Sequence, residues 1–259
     1  MCSVSRRVAV IVLITLLAGC GSILSTPEAT ETMTPAAVPE VSETPTAGEG
    51  PLPPGLTGGG VRDSAALATA HLDAVRGRSY TWRSQRLFGA TQNDRTLRVA
   101  APRRYSYRQT SPGAEANTTE FADGEVVYTR YYRFVERLRR APAPNATDQY
   151  GPMAARAIER YLAVESATVA ETLVDGDRYY RVRTSTDRYR PIDAAVNYSV
   201  TALIAPDGFV RSLHATYEID GENRTVAVEH RFRYTDIGTT TVTEPQWLRN
   251  DTWPENGSR

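Results

Sequence analysis

The run VAVEHRFRYT, from Val226 to Thr235, alternates two kinds of side chain along its whole length. Apolar or aromatic residues and one histidine occupy every second position, and charged or small residues lie between them. Successive side chains of a β-strand point to opposite faces of the sheet, so the run predicts a strand with one buried and one solvated face. The buried side would carry Val226, Val228, His230, Phe232 and Tyr234.

Similar alternation recurs through most of the chain after residue 77. Four Asp-Gly pairs, at 123–124, 175–176, 207–208 and 220–221, separate alternating runs. Asp-Gly favours tight hairpins because both central residues of a type I′ turn need a positive φ. The pattern predicts a meander of about ten antiparallel strands, near residues 78–88, 95–101, 103–110, 117–122, 125–135, 167–174, 177–186, 197–205, 209–219 and 223–236.

Two segments have helical periodicity instead. Asp63 suits an N-cap and Gly77 a C-terminal stop, which predicts a helix over 63–76. A second amphipathic run, from Tyr150 to Leu162, repeats apolar residues at i, i+3, i+4, i+7 and i+8. Because a sheet of about ten twisted strands tends to curl, we expect an α+β fold. Its single, strongly curved antiparallel sheet, a half-barrel, would carry both helices on the concave face.

The beginning of the chain predicts where the protein works. Arg6-Arg7 precede an uncharged run from Val8 to Gly19, which is too short to span the ~30 Å hydrocarbon core of a bilayer as a helix. We interpret residues 1–19 as a signal peptide and Cys20 as the lipidated first residue of the mature chain. The alternatives are a Cys that happens to end a plain signal, or an uncleaved membrane anchor. The expected location is the outer face of the cytoplasmic membrane, held by the lipid, with export by the twin-arginine or the general route.

Composition divides the rest of the chain into three parts. Residues 20–60 are rich in Pro, Thr, Ala, Glu and Gly, which predicts a disordered tether behind the lipidated Cys. Residues 61–240 form the curved-sheet domain, and residues 241–259 a loose C-terminal tail. Cys2 leaves with the signal and Cys20 carries lipid, so no cysteine pair remains for a disulfide. We expect the domain to be a monomer.

The charge pattern gives a modestly basic domain. All 30 basic residues are arginine, and residues 61–235 hold 26 Arg against 21 Asp plus Glu. This excess is small, and nucleic acid is rarely encountered outside the cytoplasm, so we expect no nucleic-acid partner. The absence of lysine is typical of secreted proteins from salt-loving archaea, or simply of a GC-rich genome.

A resemblance follows from Cys20, the Pro/Thr tether, the helix running into Ala70-His71-Leu72 and the following Arg78-Ser79-Tyr80-Thr81. With the hairpin meander, this layout resembles a family of haloarchaeal lipoproteins of unknown function. More distantly, its architecture is similar to the half-barrels of bacterial lipoprotein carriers (LolA-like) and of mycobacterial lipid-binding lipoproteins. The resemblance implies a half-barrel fold and transfers no site residues.

The sequence contains no motif for catalysis, a metal or a cofactor. It lacks a Gly-x-Ser-x-Gly elbow, a phosphate loop, a dinucleotide fingerprint, His-Glu-x-x-His and a calcium loop. His71 and His230 fall on apolar faces and are expected to be core residues; they are the pair that could approach each other in the fold. His214 falls on a solvated face. We predict a non-catalytic protein without catalytic residues, metal or cofactor.

Two hypotheses of function remain. In the first, a lipid or other hydrophobic ligand lies between sheet and helices, where the same residues could instead form a dry core; the candidate lining residues are Tyr80, Trp82, Tyr180, Leu213, Tyr217 and Phe232. In the alternative, the domain is a surface interaction or structural module with a filled core that contacts an envelope protein or glycan.

One segment supplies a candidate surface for the second hypothesis. Residues 129–140 mix five arginines with three aromatic residues, a composition that suits anionic lipid headgroups as well as a solvated strand face. The expected patch surrounds Tyr131, Arg137 and Arg140.

Six Asn-x-Ser/Thr sequons are candidates for glycosylation outside the cytoplasm. They begin at Asn117, Asn145, Asn197, Asn223, Asn250 and Asn256.

Overall fold

The computed structural model describes residues 51–111, 116–164, 166–192, 194–221 and 224–250. The predicted signal peptide, Cys20, the tether up to residue 50 and the sequons at Asn223 and Asn256 lie outside the described residues. No helix in the described ranges is both long enough and apolar enough to cross a membrane.

The described chain forms three helices and thirteen strands. In chain order they are β1 (Leu56–Thr57), β2 (Gly60–Val61), α1 (Ser64–Val75), β3 (Tyr80–Phe88), β4 (Thr91–Ala101), β5 (Arg104–Ser111), β6 (Ala116–Asp123), β7 (Val126–Arg133), β8 (Val135–Pro142), α2 (Ala146–Tyr161), β9 (Thr168–Val174), β10 (Asp177–Arg188), β11 (Ala195–Ile204), β12 (Val210–Asp220), β13 (Thr225–Thr235) and α3 (Gln246–Asn250). Strands β1 and β2 form a small hairpin, and the other strands form one open antiparallel sheet. This confirms the predicted α+β half-barrel.

The large sheet consists of two meanders joined at its centre. Its strand order is β8-β7-β6-β5-β4-β3-β13-β12-β11-β10-β9. The first strand, β3, therefore pairs with the last, β13, and their register places Thr81 opposite Thr235. The strands at the two outer edges, β8 and β9, are consecutive in the chain and are connected through α2. Because the connection runs from one edge to the other, α2 crosses the face of the sheet.

The two faces of the sheet differ sharply. Helices α1 and α2 cover one face, which we call the helix-covered face, and the opposite one is the outer face. Along β13 the covered side carries the alternating residues that the sequence predicted, and Val228, Phe232 and Tyr234 are each 2% exposed. Burial of such apolar side chains, at roughly 25 cal/mol per Å², is the main term that stabilises the domain.

Both predicted helices are confirmed, with small shifts at their ends. Asp63 caps α1 as predicted, and its carboxylate accepts a hydrogen bond from the backbone N–H of Ala66 at 2.8 Å. Helix α2 begins earlier than its apolar stripe, because Asn145 acts as its N-cap and accepts from the N–H of Thr147 at 2.8 Å.

All four Asp-Gly pairs lie at hairpin turns, as predicted. Only one of them places both residues at positive φ, with Asp175 at 56° and Gly176 at 89°. At Asp207-Gly208 only the glycine does, at 88°, and the carboxylate of Asp207 accepts from the N–H of Phe209 at 3.0 Å. The dipeptide therefore predicted the position of each of these turns, but the turns are not all of the same type.

The predicted strand over 125–135 is wrong at its C-terminal end, where a hairpin was missed. The chain reverses at Phe134, which has a φ of 66°, and β8 pairs back on β7 with Arg133 opposite Val135. No glycine, asparagine or proline marks this turn, so neither the turn nor the strand after it gave a signal. The sheet has eleven strands instead of about ten.

The folded part is longer than predicted at both ends. Residues 51–60, which composition assigned to the tether, contain β1 and a turn at Gly55, whose carbonyl accepts from the N–H groups of Arg62 and Asp63. A Cβ on Gly55 would lie 2.0 Å from the carbonyl oxygen of Asp63, so the glycine serves close packing here. In the expected tail, Val242 is 7% exposed and α3 covers Gln246–Asn250.

The start of this C-terminal segment lies on the outer face. The hydroxyls of Thr240 and Thr81 are 3.1 Å apart, and the N–H of Gly238 donates to the carbonyl of Ser79 at 2.8 Å. These hydrogen bonds hold the segment to the beginning of β3.

Candidate functional site

The six residues predicted to line a ligand cleft all lie in the core on the helix-covered face. None is more than 2% exposed: Tyr80, Trp82, Tyr180, Leu213, Tyr217 and Phe232. Aromatic rings occupy the space between the helices and the strands. The ring centroids of Tyr161 of α2 and Tyr217 are 6.3 Å apart, for example, and those of His71 of α1 and Phe232 are 6.4 Å apart.

Tyrosine hydroxyls of the sheet fasten the C-terminal end of α2. Tyr189 donates to the carbonyl of Arg160 at 2.7 Å, and Tyr198 donates to the carbonyl of Tyr161. These carbonyls belong to the last turn, where the helix itself supplies no donor. The two tyrosine rings stack at 3.9 Å, and burial raises the pKa of Tyr189 to about 12.

The N-terminal part of α2 has a similar attachment. Tyr150 donates a hydrogen bond to the carboxylate of Glu120 on β6, and Tyr105 donates to the side-chain carbonyl of Gln149 at 3.3 Å. Burial raises the pKa of Glu120, and the hydrogen bond from Tyr150 opposes that shift. Because α2 is attached to the sheet at both ends, a fixed helix closes the part of the covered face that lies beneath it.

His71 is a fully buried histidine whose ring nitrogens both have partners. Its Nδ1 accepts from the N–H of Val210 at 3.1 Å, so Nε2 carries the proton and donates to the hydroxyl of Tyr234 at 3.1 Å. Burial lowers the pKa of His71 to about 3. The ring therefore stays neutral and holds α1 to β12 and β13.

His230 occupies a different environment and does not pair with His71. Its ring stacks on that of Tyr161, with the centroids 5.0 Å apart, and contacts the ring of Phe232 edge-on, with the centroids 6.4 Å apart. Phe232 thus lies next to both histidines. His230 is 8% exposed as a residue, and neither of its buried ring nitrogens has a hydrogen-bond partner.

His214 lies on the outer face, as predicted, with its Nε2 at 3.1 Å from Glu229. Within the described ranges, no group of three or more His, Cys, Asp or Glu side chains could hold a metal ion.

A cleft with a volume of about 940 Å³ lies on the outer face. The registers place Arg181, Arg233 and Arg83 in one row across the sheet, and Arg183, His214 and Arg231 in the next. These side chains come from β10, β12, β13 and β3, and all of the residues line the cleft. The site is a basic groove on a polar surface.

The arginines of this groove are weakly neutralised. The shortest separation between any of them and a carboxylate oxygen in the described chain is 3.8 Å, from Arg231 to Glu229. Glu229 also contacts His214. Asp94 accepts from Gln85 at 2.8 Å and thus offers a second negative charge near the groove. Guanidinium groups without close carboxylates can bind an anion with two parallel hydrogen bonds.

The alternation of polar and apolar residues places each of these arginines on the solvated side of its strand but does not group them. Alternation gives the face on which a side chain lies and leaves open which strands are neighbours. The sequence pattern did not predict the pairing of β3 with β13, which brings Arg83 beside Arg233.

The predicted patch around Tyr131, Arg137 and Arg140 is divided between the two faces, so the expectation of a contiguous patch is wrong. Tyr131 and Arg137 are direct partners across β7 and β8, whereas Arg140 pairs with Tyr128 and points to the other side of the sheet. The tip of this hairpin is instead its most exposed apolar part, with Phe134 76% and Val135 66% exposed.

The described sequons differ in accessibility. Asn117 and Asn197 are exposed, whereas Asn145 is half-buried as the cap of α2. Asn197 lies in an irregular part of β11 at a φ of 54°, and its side-chain amide donates to Glu218 at 2.8 Å. Asn250 ends α3. Whether any of them carries a glycan stays a prediction.

Neither a family model nor a curated protein matches this chain. Among solved structures, it is similar to a LolA superfamily protein from Nitrosomonas europaea, with 10% identity over 71% of this chain and 96% of that one, at a TM-score of 0.22. A DUF1329 family protein from Desulfovibrio piger matches with 9% identity over 68% of this chain and 91% of that one, also at a TM-score of 0.22. The resemblance to haloarchaeal lipoproteins stays a prediction.

Proposed function

We propose that this protein is a membrane-tethered, non-catalytic binding module, and that its outer-face groove binds an acidic glycan of the cell envelope. One observation carries the proposal: arginines of β3, β13 and β10, with few carboxylates beside them, line a cleft of about 940 Å³. Carboxylate or sulfate groups along a glycan would accept paired hydrogen bonds from the guanidinium forks.

The packing of the covered face favours the filled-core alternative over a hydrophobic cleft. The six predicted lining residues are buried in one continuous core cluster, and α2 is fastened at both ends. Ligand exchange at these residues would require breaking hydrogen bonds such as that of Tyr189, each worth about 0.5–1.5 kcal/mol net. The outer groove is open without any rearrangement.

The groove would hold its ligand by direct contacts and would depend little on long-range attraction. The net positive charge of the domain is small, because residues 61–235 contain 26 Arg against 21 Asp plus Glu. At molar salt the Debye length falls to about 3 Å, where only charges in contact still interact. Paired guanidinium contacts are short enough to survive that screening.

A glycan-binding experiment tests this function. The full chain should bind an immobilised uronate- or sulfate-rich polysaccharide, and the double variant Arg183→Gln, Arg231→Gln should bind at least about tenfold more weakly, because two charge-assisted contacts are lost. A matched control, Arg62→Gln with Arg156→Gln, removes two exposed charges far from the groove. Equal loss in both double variants, or no binding by the wild type, would contradict the proposal.

A hydrophobic ligand in the core is the second candidate, favoured by unpaired polar atoms. Trp82 Nε1 and Tyr180 Oη belong to predicted lining residues, are buried and have no hydrogen-bond partner. Buried polar groups usually have one, and the polar end of a lipid could supply it. Native mass spectrometry of detergent-free protein should then show a co-purified lipid, and its absence, with no binding of a fluorescent lipid, would reject this candidate.

Anchoring through Cys20 is the third element of the proposal. The support is the short apolar run behind Arg6-Arg7 and the small residues before the cysteine. Cys20→Ser should release the protein from membranes into the medium. Retention of the variant would instead favour an uncleaved anchor.

A further inference from the structure

The environment of His230 indicates a second site, on the face opposite the groove. The residue is 8% exposed, and its imidazole contacts the rings of Tyr161 and Phe232. Both ring nitrogens are without a hydrogen-bond partner. An imidazole has one donor and one acceptor, and leaving both unpaired in the interior costs free energy. A ligand that accepts a hydrogen bond would remove part of that cost.

Three guanidinium groups surround this ring. Arg86 is the direct partner of His230 across β3 and β13. Arg95 of β4 pairs with Ser84 of β3. Ser84 precedes Arg86 by two residues and therefore lies on the same face of the sheet. Arg160 of α2 reaches over the ring of Tyr161 at 5.9 Å, and that ring stacks on His230.

The charge of this cluster is not neutralised by its neighbours. No carboxylate in the described part of the chain forms an ion pair with Arg86, Arg95 or Arg160. Arg95 donates through Nε to the side-chain carbonyl of Gln109 at 3.2 Å, which orients its guanidinium without neutralising it. Burial, followed by the charges of the three arginines, lowers the pKa of His230 to about 4, as expected where positive potential converges.

A polar strip with an arginine at each end runs from this cluster to the β7–β8 hairpin. Successive registers place Arg95, Gln109, Thr118 and Tyr131 side by side across β4 to β7, and Arg137 of β8 follows. Gln109 and Thr118 are half-buried and Tyr131 is exposed. The covered face is therefore open on this side, where an incoming group would meet polar and basic side chains.

We propose that Arg86, Arg95, Arg160 and His230 form a phosphate-binding site. The guanidinium forks would bind phosphate oxygens, and the neutral ring of His230 would donate its one N–H to another oxygen. The phosphate could be free or part of a lipid headgroup, since both present the same oxygens. Arg86, Arg160 and His230 do not line the outer groove, whereas Arg95 also belongs to its lining. Arg160→Gln therefore tests this site separately from the glycan proposal.

Titration of the full chain with inorganic phosphate, up to about 10 mM, tests the site by NMR of the histidine rings and by calorimetry. The signals of His230 should shift and its pKa should rise, because a bound anion favours the protonated ring. The His71 signals, which lie in a closed pocket, should not move. Arg160→Gln should weaken binding by about tenfold or more. The matched variant Arg156→Gln, at an exposed arginine one turn earlier on α2, should leave the shift of the His230 signals unchanged.

A second titration, with dihexanoyl phosphatidylglycerol, separates the two sources of phosphate. Tighter binding of this soluble lipid than of inorganic phosphate, lost in Arg160→Gln, would assign the site to a lipid headgroup. Comparable binding of both would assign it to free phosphate. The site is rejected if neither titration shifts the His230 signals, or if Arg160→Gln and Arg95→Gln, both folded by circular dichroism, bind as well as the wild type.

Discussion

His71 illustrates how one side chain can make the stability of the domain depend on pH. Both of its nitrogens bond within the core, in a form that requires a neutral ring. Protonation would bring a charge into a pocket of Phe209, Phe232 and Tyr234 and would remove the acceptor used by Val210. The folded state therefore resists protonation.

Acidification should destabilise the domain through this residue. The pKa of His71 is about 3 in the folded state and about 6.5 when exposed, so between these values the unfolded chain binds more protons and stability falls as pH falls. From pH 7 to pH 5 the loss from His71 should be about 2 kcal/mol. Urea denaturation at several pH values measures it.

The variant His71→Gln provides the comparison for this pH experiment. It should be less stable at pH 7, yet its stability should fall less steeply between pH 6.5 and pH 5, because the titrating group is gone. His230, with a lowered pKa of about 4, contributes a slope of the same sign, whereas the raised pKa of Glu120 contributes the opposite sign at lower pH. An unchanged slope in His71→Gln would contradict our assignment of a neutral, buried ring.

Among the elements, α2 depends on the tyrosines that hold its last turn. The double variant Tyr189→Phe, Tyr198→Phe removes two hydroxyls that donate to helix carbonyls and should lower the free energy of unfolding by about 1–3 kcal/mol. Hydrogen exchange in residues 154–162 should accelerate. Tyr131→Phe, at an exposed position, is the control and should change neither quantity.

The β7–β8 hairpin is the element best suited to touch a bilayer. Phe134 and Val135 project from its tip, and Arg133 and Arg137 flank them. Phe134→Ser with Val135→Ser should weaken binding of the chain to anionic vesicles without lowering its stability, because both side chains are solvated in the free protein. Sedimentation with vesicles measures the binding. Unchanged sedimentation would exclude the tip as a contact.

The sequence predicted elements well where a local signal existed. Alternation and Asp-Gly pairs gave ten of the eleven strands of the large sheet, and capping residues gave α1. The hairpin at Phe134 was missed because an aromatic residue at positive φ has no signature, and β1 was missed because Pro-Gly composition also occurs in flexible segments.

The candidate sites depend on information that local patterns lack. Arg83 and Arg233 are neighbours only because β3 pairs with β13, and Arg86 meets His230 for the same reason. The alternation along β13 predicted opposite faces for Arg233 and His230, and their exposure agrees. It could not predict the neighbour, since that pairing joins segments about 150 residues apart and is determined by the whole fold.

For the molecule as a whole, the pairing of β3 with β13 affects what happens to an incomplete chain. Without β13, the meander β3–β8 would end in the bare edge of β3, with Tyr80 and Trp82 uncovered. Unpaired strand edges with apolar side chains recruit other chains. Chains cut before Thr225 should therefore aggregate during synthesis, so the domain gains solubility only when its last long strand has been made.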